Sequence, residues 1–250
     1  LMIPKKVIYI WFGKGKKGDL IERCVTSNKK ILFDWDFEEF NEDNYDIGSY
    51  RYMKEAYDAG KYAFASDCAR FDILYKYGGV YVDTDVEFLK RIPDSFLNEV
   101  GFTGVEDNNK IAPGLVFACE AGNEIVKEIV DSYKQDSFIL KNGKYNLKTV
   151  VDRVTEVFIK HGFKADGTEQ VIEQFHIYPC EYFCAFDFVT REFTVTDNTY
   201  SIHHYTATWV PMHRKLVMRI KKDICKLIGR DNFKRLANIK NKLISSKTIS

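Results

Sequence analysis

Hydrophobic and polar positions alternate along this chain with two periods, one typical of buried strands and the other of amphipathic helices. Residues 5–13 form an apolar run that ends at a glycine and predicts a first strand. Residues 29–40 predict a second strand-like segment that passes into an acidic loop. Residues 49–60 and 61–77 repeat apolar side chains every three or four positions, which predicts two helices.

Gly78 and Gly79 end the second of these helices, where a C-cap favours a positive φ. The apolar residues 80–82 that follow predict a buried strand. Strand and helix patterns then continue to alternate, with strands predicted in 100–107, 111–119, 177–183 and 193–209 and helices in 122–135 and 146–163. Because this order is typical of a sheet covered by helices, we predict an α/β fold with a mostly parallel sheet and a ligand site at the carboxyl ends of its strands.

Charge is distributed unevenly along the chain. Residues 211–250 hold 12 Lys and Arg against two Asp, whereas the rest of the chain holds 25 basic and 34 acidic side chains. The change near Pro211 divides the chain into a predicted catalytic domain, 1–210, and a basic tail, 211–250. The acidic body argues against nucleic acid as a partner.

Signals for membrane spans, secretion and disulfides are weak in this sequence. No apolar run approaches the roughly 18 residues that span a bilayer, and "VIYIWF" is too short for the apolar region of a signal peptide. The six cysteines are scattered without a CxxC pair, which favours reduced, mostly buried thiols over a zinc knuckle or a disulfide framework. We therefore expect a cytoplasmic protein.

Two aspartates, Asp83 and Asp85, follow the predicted strand at 80–82. If the extended geometry persists beyond this strand, both carboxylates face the same way, because alternate side chains share a face. Hard oxygen ligands at this spacing suit Mg²⁺ or Mn²⁺, which take their remaining ligands from water and substrate phosphates. The pattern predicts a metal site for a diphosphate substrate, although aspartates are also common in turns that bind nothing.

Three motifs in order make this prediction more specific: "IPKKVIYIWFG" at 3–13, "SDCARFDILYKYGGVYVDTD" at 66–85 and "SIHHYTATW" at 201–209. Together they resemble the glycosyltransferase family named for its sugar-binding region with an Asp-x-Asp motif. This family includes yeast-type initiating mannosyltransferases, bacterial capsular polysaccharide transferases and, more distantly, the catalytic domains of large clostridial toxins. The resemblance implies a GT-A fold, a single nucleotide-sugar-binding α/β domain that uses a divalent cation and transfers sugar with retention of configuration.

The resemblance implies donor-binding roles for four residues. Trp11 would stack on the nucleotide base, although a tryptophan beside a glycine turn is also a common core residue. Asp67 would contact sugar hydroxyls and Arg70 would brace Asp67 or the donor, although the two are also spaced for a plain i,i+3 ion pair. Tyr81 would pack or form a hydrogen bond near the donor, unless it is only a core residue of its strand.

The resemblance also implies a metal site in which Asp85 is a direct ligand and Asp83 reaches the ribose or the metal through water. A third ligand is expected from the last motif, where alternation puts His203 and His204 on opposite faces. We choose His204, because relatives carry a ligand at about that place, although a histidine bonded in the core fits the pattern as well. Trp209 would cap the site and exclude water.

The predicted reaction follows from these roles. A cation held by Asp85 would neutralise the charge that grows on the leaving diphosphate. We find no convincing nucleophile beside the motif, so a front-face attack that retains configuration is favoured over a covalent intermediate. By analogy with the bacterial relatives we expect a UDP-linked donor rather than GDP-mannose, a hexosyl or N-acetylhexosaminyl group, and a glycan or lipid-linked glycan acceptor, as in capsular polysaccharide biosynthesis.

Two other functions fit parts of the pattern. A phosphohydrolase of the haloacid dehalogenase type also carries Asp-x-Asp after a strand, but its motif opens the first strand and continues with a hydroxyl or small residue where Glu87 stands. A non-enzymatic sugar-binding module would explain the aromatic content and a bound cation. Such a module needs neither Trp11 nor the pair Asp67 and Arg70 in this order.

The basic tail has a pattern of its own. Apolar residues recur every three or four positions from Leu216 to Ile228, Gly229 interrupts them, and Asp231 is placed to cap a second helix that continues to Leu243. Polar faces made almost wholly of Lys and Arg suit an anionic cytoplasmic leaflet, where each basic residue contributes about 1 kcal/mol. Docking of these helices on the acidic body is the alternative. We predict peripheral attachment to the inner face of the membrane.

Overall fold

The computed structural model of the chain describes residues 2–188, 190, 192–205, 223, 225, 227, 229 and 232. Strands among these residues are Lys6–Ile10 (β1), Asp36–Phe40 (β2), Gly79–Tyr81 (β3), Val86–Phe88 (β4), Gly101–Gly104 (β5), Phe117–Cys119 (β6), Gln170–Ile172 (β7), Phe175–Tyr178 (β8), Phe186–Asp187 (β9), Glu192–Phe193 (β10) and Ser201–His203 (β11). Helices are Asp19–Ile31 (α1), Arg51–Asp58 (α2), Tyr62–Tyr77 (α3), Asp94–Leu97 (α4), Glu124–Lys134 (α5), Val150–Lys160 (α6) and Cys180–Phe183 (α7), with a 3₁₀ turn at Ile47–Ser49.

A seven-stranded sheet in the order β2-β1-β3-β6-β5-β8-β7 forms the centre of the larger unit, Leu1–Ala185 with Val195–Tyr205. β1 lies parallel to β2 and β3, and β5 lies parallel to β8, whereas β6 and β7 are antiparallel to their neighbours. Five strands therefore run one way and two the other, which confirms the predicted α/β class with a mostly parallel sheet. Outside this sheet, β4 and β11 form an antiparallel pair.

A second unit comprises Phe186–Thr194 and Thr206–Ser250, and its described part contains the antiparallel pair of β9 and β10. The predicted helices of the basic tail lie almost wholly outside the described residues, as does Trp209. Within the part of the chain that the structure describes, no helix is long and apolar enough to cross a membrane.

The four helices predicted from the spacing of apolar residues are present, namely α2, α3, α5 and α6. Gly78 ends α3 with a φ of 65°, and a Cβ at this position would lie 2.7 Å from the backbone nitrogen of Ala121. Glycine is therefore required there for conformation and for space.

Helix α1 was not predicted from the sequence. Its inner face is narrow, because its buried side chains are Ile21, Cys24 and Asn28, and one of these is polar. The helix also takes up the first residues of the segment 29–40, so that only the end of this segment is a strand. The polar composition of this segment explains the omission, since most side chains in residues 19–30 are charged or polar and few apolar residues mark the buried face.

Candidate active site

The Asp-x-Asp motif lies between β3 and β4, at the carboxyl edge of the central sheet. The sequence predicted that a continuing strand would align the two carboxylates, but β3 ends at Tyr81 and the chain turns. The turn is closed by a hydrogen bond of 3.0 Å from the backbone N–H of Val86 to the carbonyl of Asp83. The turn, and not strand alternation, brings Asp83 and Asp85 to one place.

Strand β11 carries His203 to this turn. β11 pairs with β4 so that His203 lies opposite Val86. Nε2 of His203 lies 2.9 Å from Oδ1 of Asp85 and 3.9 Å from Oδ2 of Asp83. One ligand atom from each of these three side chains lies within 4.8 Å of the other two. The three residues can therefore hold one metal ion.

His204 faces the other way, as the alternation predicted. Its Nε2 lies 2.8 Å from Oε2 of Glu87, and its backbone N–H donates to the carbonyl of Asp85 at 3.0 Å. His204 was expected to be the third ligand, whereas the structure brings His203 together with the two aspartates. Sequence spacing could not separate neighbouring histidines, because the pairing of β11 with β4 decides which of them faces the motif.

The electrostatics of this cluster suit a cation. Burial by itself lowers the pKa of His203, but the hydrogen bond to Asp85 and the charges of Asp85 and Asp83 hold that pKa above its usual value. A field that favours a proton on imidazole also favours a metal ion at the same place. Two carboxylates and one imidazole are a donor set that fits Mn²⁺ or Mg²⁺.

Arg70 links helix α3 to the motif. Its Nη2 donates to Oδ1 of Asp67 at 2.6 Å and lies 3.3 Å from Oδ1 of Asp83. The guanidinium also packs over the ring of Tyr81, 4.5 Å from its centroid, and the Tyr81 hydroxyl donates to Oδ1 of Asp83 at 2.8 Å. Arg70 is only 4% exposed, and these partners offset part of the cost of burying its charge, whereas its Nε and Nη1 have no hydrogen-bond partner among the described residues. The four residues that the sequence singled out here lie together.

Asp67 lies deep in this network. Burial raises the pKa of Asp67 to about 6, and the nearby charge of Arg70 opposes that effect. The predicted i,i+3 ion pair is present, but it is a buried pair and not a solvated one. Arg70 also forms an ion pair with Asp83, and this second contact connects Asp67 and Arg70 to the Asp-x-Asp turn.

Trp11 follows β1 at the same edge of the sheet. Its backbone N–H donates to the carbonyl of Phe40 at 2.9 Å, and its indole N–H donates to the carbonyl of Gly15 at 2.6 Å. The side chain of Lys17 lies over the indole, 5.9 Å from the ring centroid. Trp11 is partly exposed, so it is not the fully buried core tryptophan of the alternative interpretation.

Two residues at this edge were missed by the sequence analysis. The carbonyl of Gly114 accepts a hydrogen bond of 2.9 Å from the N–H of Asp83, and a Cβ on Gly114 would lie 2.3 Å from Oδ2 of Asp83. β6 runs antiparallel to β3, so the segment before β6 meets the segment after β3. Glu106 follows β5, and burial raises its pKa while the charge of His203 opposes this. The sequence signal available for Glu106 was its acidic side chain near the end of the predicted strand 100–107.

Two solved structures share a distant likeness with this chain. "PaToxG Glycosyltransferase" has a TM-score of 0.49 and 16% identity, covering 64% of this chain and 69% of that one. A glycosyltransferase involved in the glycosylation of the major capsid of PBCV-1 has a TM-score of 0.49 and 13% identity, covering 86% of this chain and all of that one. The fold assignment rests on the sheet itself and not on these likenesses.

Sequence comparisons bear on the central motif. Subversion of eukaryotic traffic protein A from Legionella pneumophila is 25% identical over 172 residues, and the match covers 56% of this chain. This chain spans about a quarter of that relative, since the match covers 26% of its length. Residues 15–103 match the family described as "Glycosyltransferase sugar-binding region containing DXD motif". The matched segment contains the Asp-x-Asp motif and the middle of the three motifs, 66–85, which confirms the resemblance for that part of the chain.

Proposed function

We propose that this protein transfers a sugar from a nucleoside-diphosphate donor to a hydroxyl group, in a metal-dependent reaction that retains the anomeric configuration. The observation that carries the proposal is the cluster of Asp83, Asp85 and His203, whose ligand atoms lie within 4.8 Å of one another. The cluster lies at the carboxyl edge of an α/β sheet, where such folds bind their ligands. The family match over residues 15–103 supports the same reaction class.

Asp85 and His203 would hold Mn²⁺ or Mg²⁺ together with Asp83, or Asp83 would contact the ribose of the donor instead. When bound, the ion supplies Lewis-acid neutralisation of the charge on the leaving diphosphate. Tyr81 and Arg70 keep Asp83 in place through a hydrogen bond of 2.8 Å and an ion pair of 3.3 Å. An aspartate restrained in this way loses little conformational freedom when the donor binds.

The remaining roles concern the donor. Asp67, fixed by its 2.6 Å hydrogen bond from Arg70, accepts hydrogen bonds from sugar hydroxyls. Trp11 stacks on the nucleotide base, with its indole oriented by the bond to Gly15. Trp209, expected from the resemblance to cap the site, lies outside the described residues.

Retention is proposed to occur by front-face attack. The bond from the anomeric carbon to the diphosphate oxygen breaks while the acceptor oxygen forms its bond on the same side. The acceptor proton passes to an oxygen of the leaving phosphate, so no protein nucleophile is needed. We propose a UDP-linked hexosyl or N-acetylhexosaminyl donor.

The acceptor is proposed to be a glycan or a lipid-linked glycan, as in capsular polysaccharide synthesis. The name of the Legionella relative refers to the subversion of eukaryotic traffic and states no acceptor, so protein hydroxyls enter the test only as a comparison. Both classes present the same chemical group, an alcohol oxygen, to the anomeric carbon. The assay therefore includes oligosaccharide, lipid-linked and protein acceptors in separate arms.

The test is a screen of UDP- and GDP-sugars with Mn²⁺, Mg²⁺ or a chelator, measuring release of nucleoside diphosphate and the anomeric configuration of the product. We expect release from one UDP-sugar that stops with the chelator and falls strongly in Asp85→Asn. No metal-dependent release from any nucleotide sugar would contradict the proposal. Hydrolysis of simple phosphate esters instead would favour the phosphohydrolase.

We further propose that the basic tail attaches the protein to anionic membranes, on the sequence evidence of 12 Lys and Arg in residues 211–250. The full chain is expected to sediment with vesicles that contain phosphatidylglycerol, less so in high salt, and not with neutral vesicles. A chain that ends near Pro211 should lose this binding. Equal sedimentation of both chains would contradict the proposal, and unfolding of the shorter chain would favour docking of the tail on the body.

A further inference from the structure

A second cluster of ligand-type side chains lies beside the Asp-x-Asp turn and is not used by the proposed reaction. One ligand atom from each of Cys24, Glu87 and His204 lies within 4.8 Å of the other two. Cys24 belongs to α1, Glu87 is the middle residue of β4, and His204 directly follows β11. Three separate parts of the chain therefore converge on one point.

Two buried hydrogen bonds from the side chain of Asn28 hold α1 against β4 beside this cluster. The side-chain amide of Asn28, which is buried, donates to the carbonyl of Val86 at 2.9 Å and accepts from the N–H of Phe88 at 2.8 Å. These two hydrogen bonds bind the backbone of β4 at the residues on either side of Glu87. Cys24 lies one helical turn before Asn28, so both side chains are on the same face of α1.

The pairing of β4 with β11 brings the histidine to the same face of the strand pair. Ile202 lies opposite Glu87 in the ladder, so His204, two residues further on, is a diagonal neighbour of Glu87. Nε2 of His204 lies 2.8 Å from Oε2 of Glu87. The thiol of Cys24 completes the cluster from the helix side, where it is 1% exposed.

The two clusters differ in donor chemistry. Asp83, Asp85 and His203 offer mainly hard oxygen atoms, which suit Mg²⁺ and Mn²⁺, whereas thiolate and imidazole select Zn²⁺ and related ions. We propose that Cys24, Glu87 and His204 form a second cation site that takes Zn²⁺ and leaves a fourth position for water.

The spacing of the ligand atoms fits such an ion. Sulfur, nitrogen and oxygen ligands around a tetrahedral Zn²⁺ lie about 3.3–3.8 Å apart, given bond lengths of about 2.0–2.3 Å. The cluster reaches this arrangement when the 2.8 Å contact of His204 and Glu87 opens to admit the ion. The side chain of Glu87 is 34% exposed, which provides a route of entry from solvent.

The position of this site gives it a structural role. Glu87 is two residues after Asp85, and His204 directly follows His203. An ion held by Glu87 and His204 would fix both strands that carry the catalytic cluster and tie them to α1. The site does not depend on the proposed transferase activity, because it uses none of the residues assigned to that reaction.

The test is a Co²⁺ titration of the metal-free full chain, because a thiolate ligand gives cobalt a near-ultraviolet charge-transfer band. We expect one such band in the wild type, displaced by Zn²⁺ and lost in Cys24→Ser. The band should persist in Asp85→Asn, which disables only the first cluster, and in Cys119→Ser, which alters an equally buried thiol elsewhere. Circular dichroism checks the fold of each variant.

A wild-type protein without the band, or a Cys24→Ser variant that retains it, would overturn the proposal. Should Cys24→Ser fail to fold, His204→Gln and Glu87→Gln decide the question, since each removes one ligand from the more exposed side. In each variant, the cobalt affinity measured from the charge-transfer band is expected to fall by about tenfold or more, as is typical when a metal site is disturbed. Unchanged affinity in both variants would also overturn it.

Discussion

The imidazole of His203 lies 2.9 Å from the carboxylate of Asp85, whereas the adjacent His204 contacts Glu87 instead. His203, the last residue of β11, and His204, the next residue, therefore contact two different clusters. The division has a measurable consequence, because only one of these two histidines faces the Asp-x-Asp turn.

His203→Ala should raise the Mn²⁺ concentration needed for half-maximal transfer more than His204→Ala does, since His203 lies within 3.9 Å of both aspartates. The two variants are matched controls for each other. Activity measured against Mn²⁺ concentration gives the comparison. The opposite order would restore His204 as the catalytic ligand, as the sequence analysis chose.

Asp85→Asn should reduce transfer by about 100-fold or more, because it removes a charge that holds the cation and keeps nearly the same volume. The thermal unfolding midpoint should change little, since Asp85 lies in a turn and not within a strand of the central sheet. Turnover is measured at saturating Mn²⁺. Wild-type turnover under these conditions would contradict the metal assignment.

Gly114→Ala should lower transfer while leaving the fold intact, because the new Cβ would lie 2.3 Å from Oδ2 of Asp83 and must displace that carboxylate. Gly18→Ala is the matched control, since a Cβ there meets nothing within 4 Å. Turnover and the Mn²⁺ requirement are measured for both. Equal activity in the two variants would show that Asp83 can move without consequence.

Trp11→Ala should raise the KM for the donor by about tenfold with little change in kcat, because base stacking is present equally in the ground and transition states. Trp11→Phe should retain most of the affinity, as it keeps an aromatic face. Steady-state kinetics with the best donor separates the two parameters. A loss confined to kcat would argue against stacking.

We expect the stability of the protein to depend on pH through His161. Its ring nitrogens lie 2.8 Å from Glu128 and 2.9 Å from Glu173, and hydrogen bonds to these carboxylates raise the pKa of His161. Stabilisation from this raised pKa is complete below the unfolded-state value of about 6.5 and is lost as pH rises through the folded-state value.

His161→Gln should therefore lower the free energy of unfolding by about 0.5–1 kcal/mol more at about pH 6 than at about pH 9. Urea unfolding of both proteins at the two pH values provides the measurement. An equal loss of unfolding free energy at the two pH values would mean that His161 contributes packing alone.

Local order could be read from the sequence because its causes are local. Helices α2, α3, α5 and α6 have apolar side chains every three or four residues, and α3 ends at a glycine pair. The pair Asp67 and Arg70 was recognised for the same reason, since residues three apart on a helix are neighbours. The middle motif, 66–85, likewise lies within the segment 15–103 that matches the sugar-binding region.

The contacts that complete the site join distant parts of the chain, and neighbouring residues do not encode them. His203 and Asp85 are 118 positions apart, and the choice between the two histidines depends on how β11 pairs with β4. Gly114 meets Asp83 only because β6 runs antiparallel to β3. The sequence alone therefore determined the α/β class, four of the helices and the Asp-x-Asp motif of the family. The tertiary structure decided which of those side chains meet, because strand pairing sets the face to which each one points.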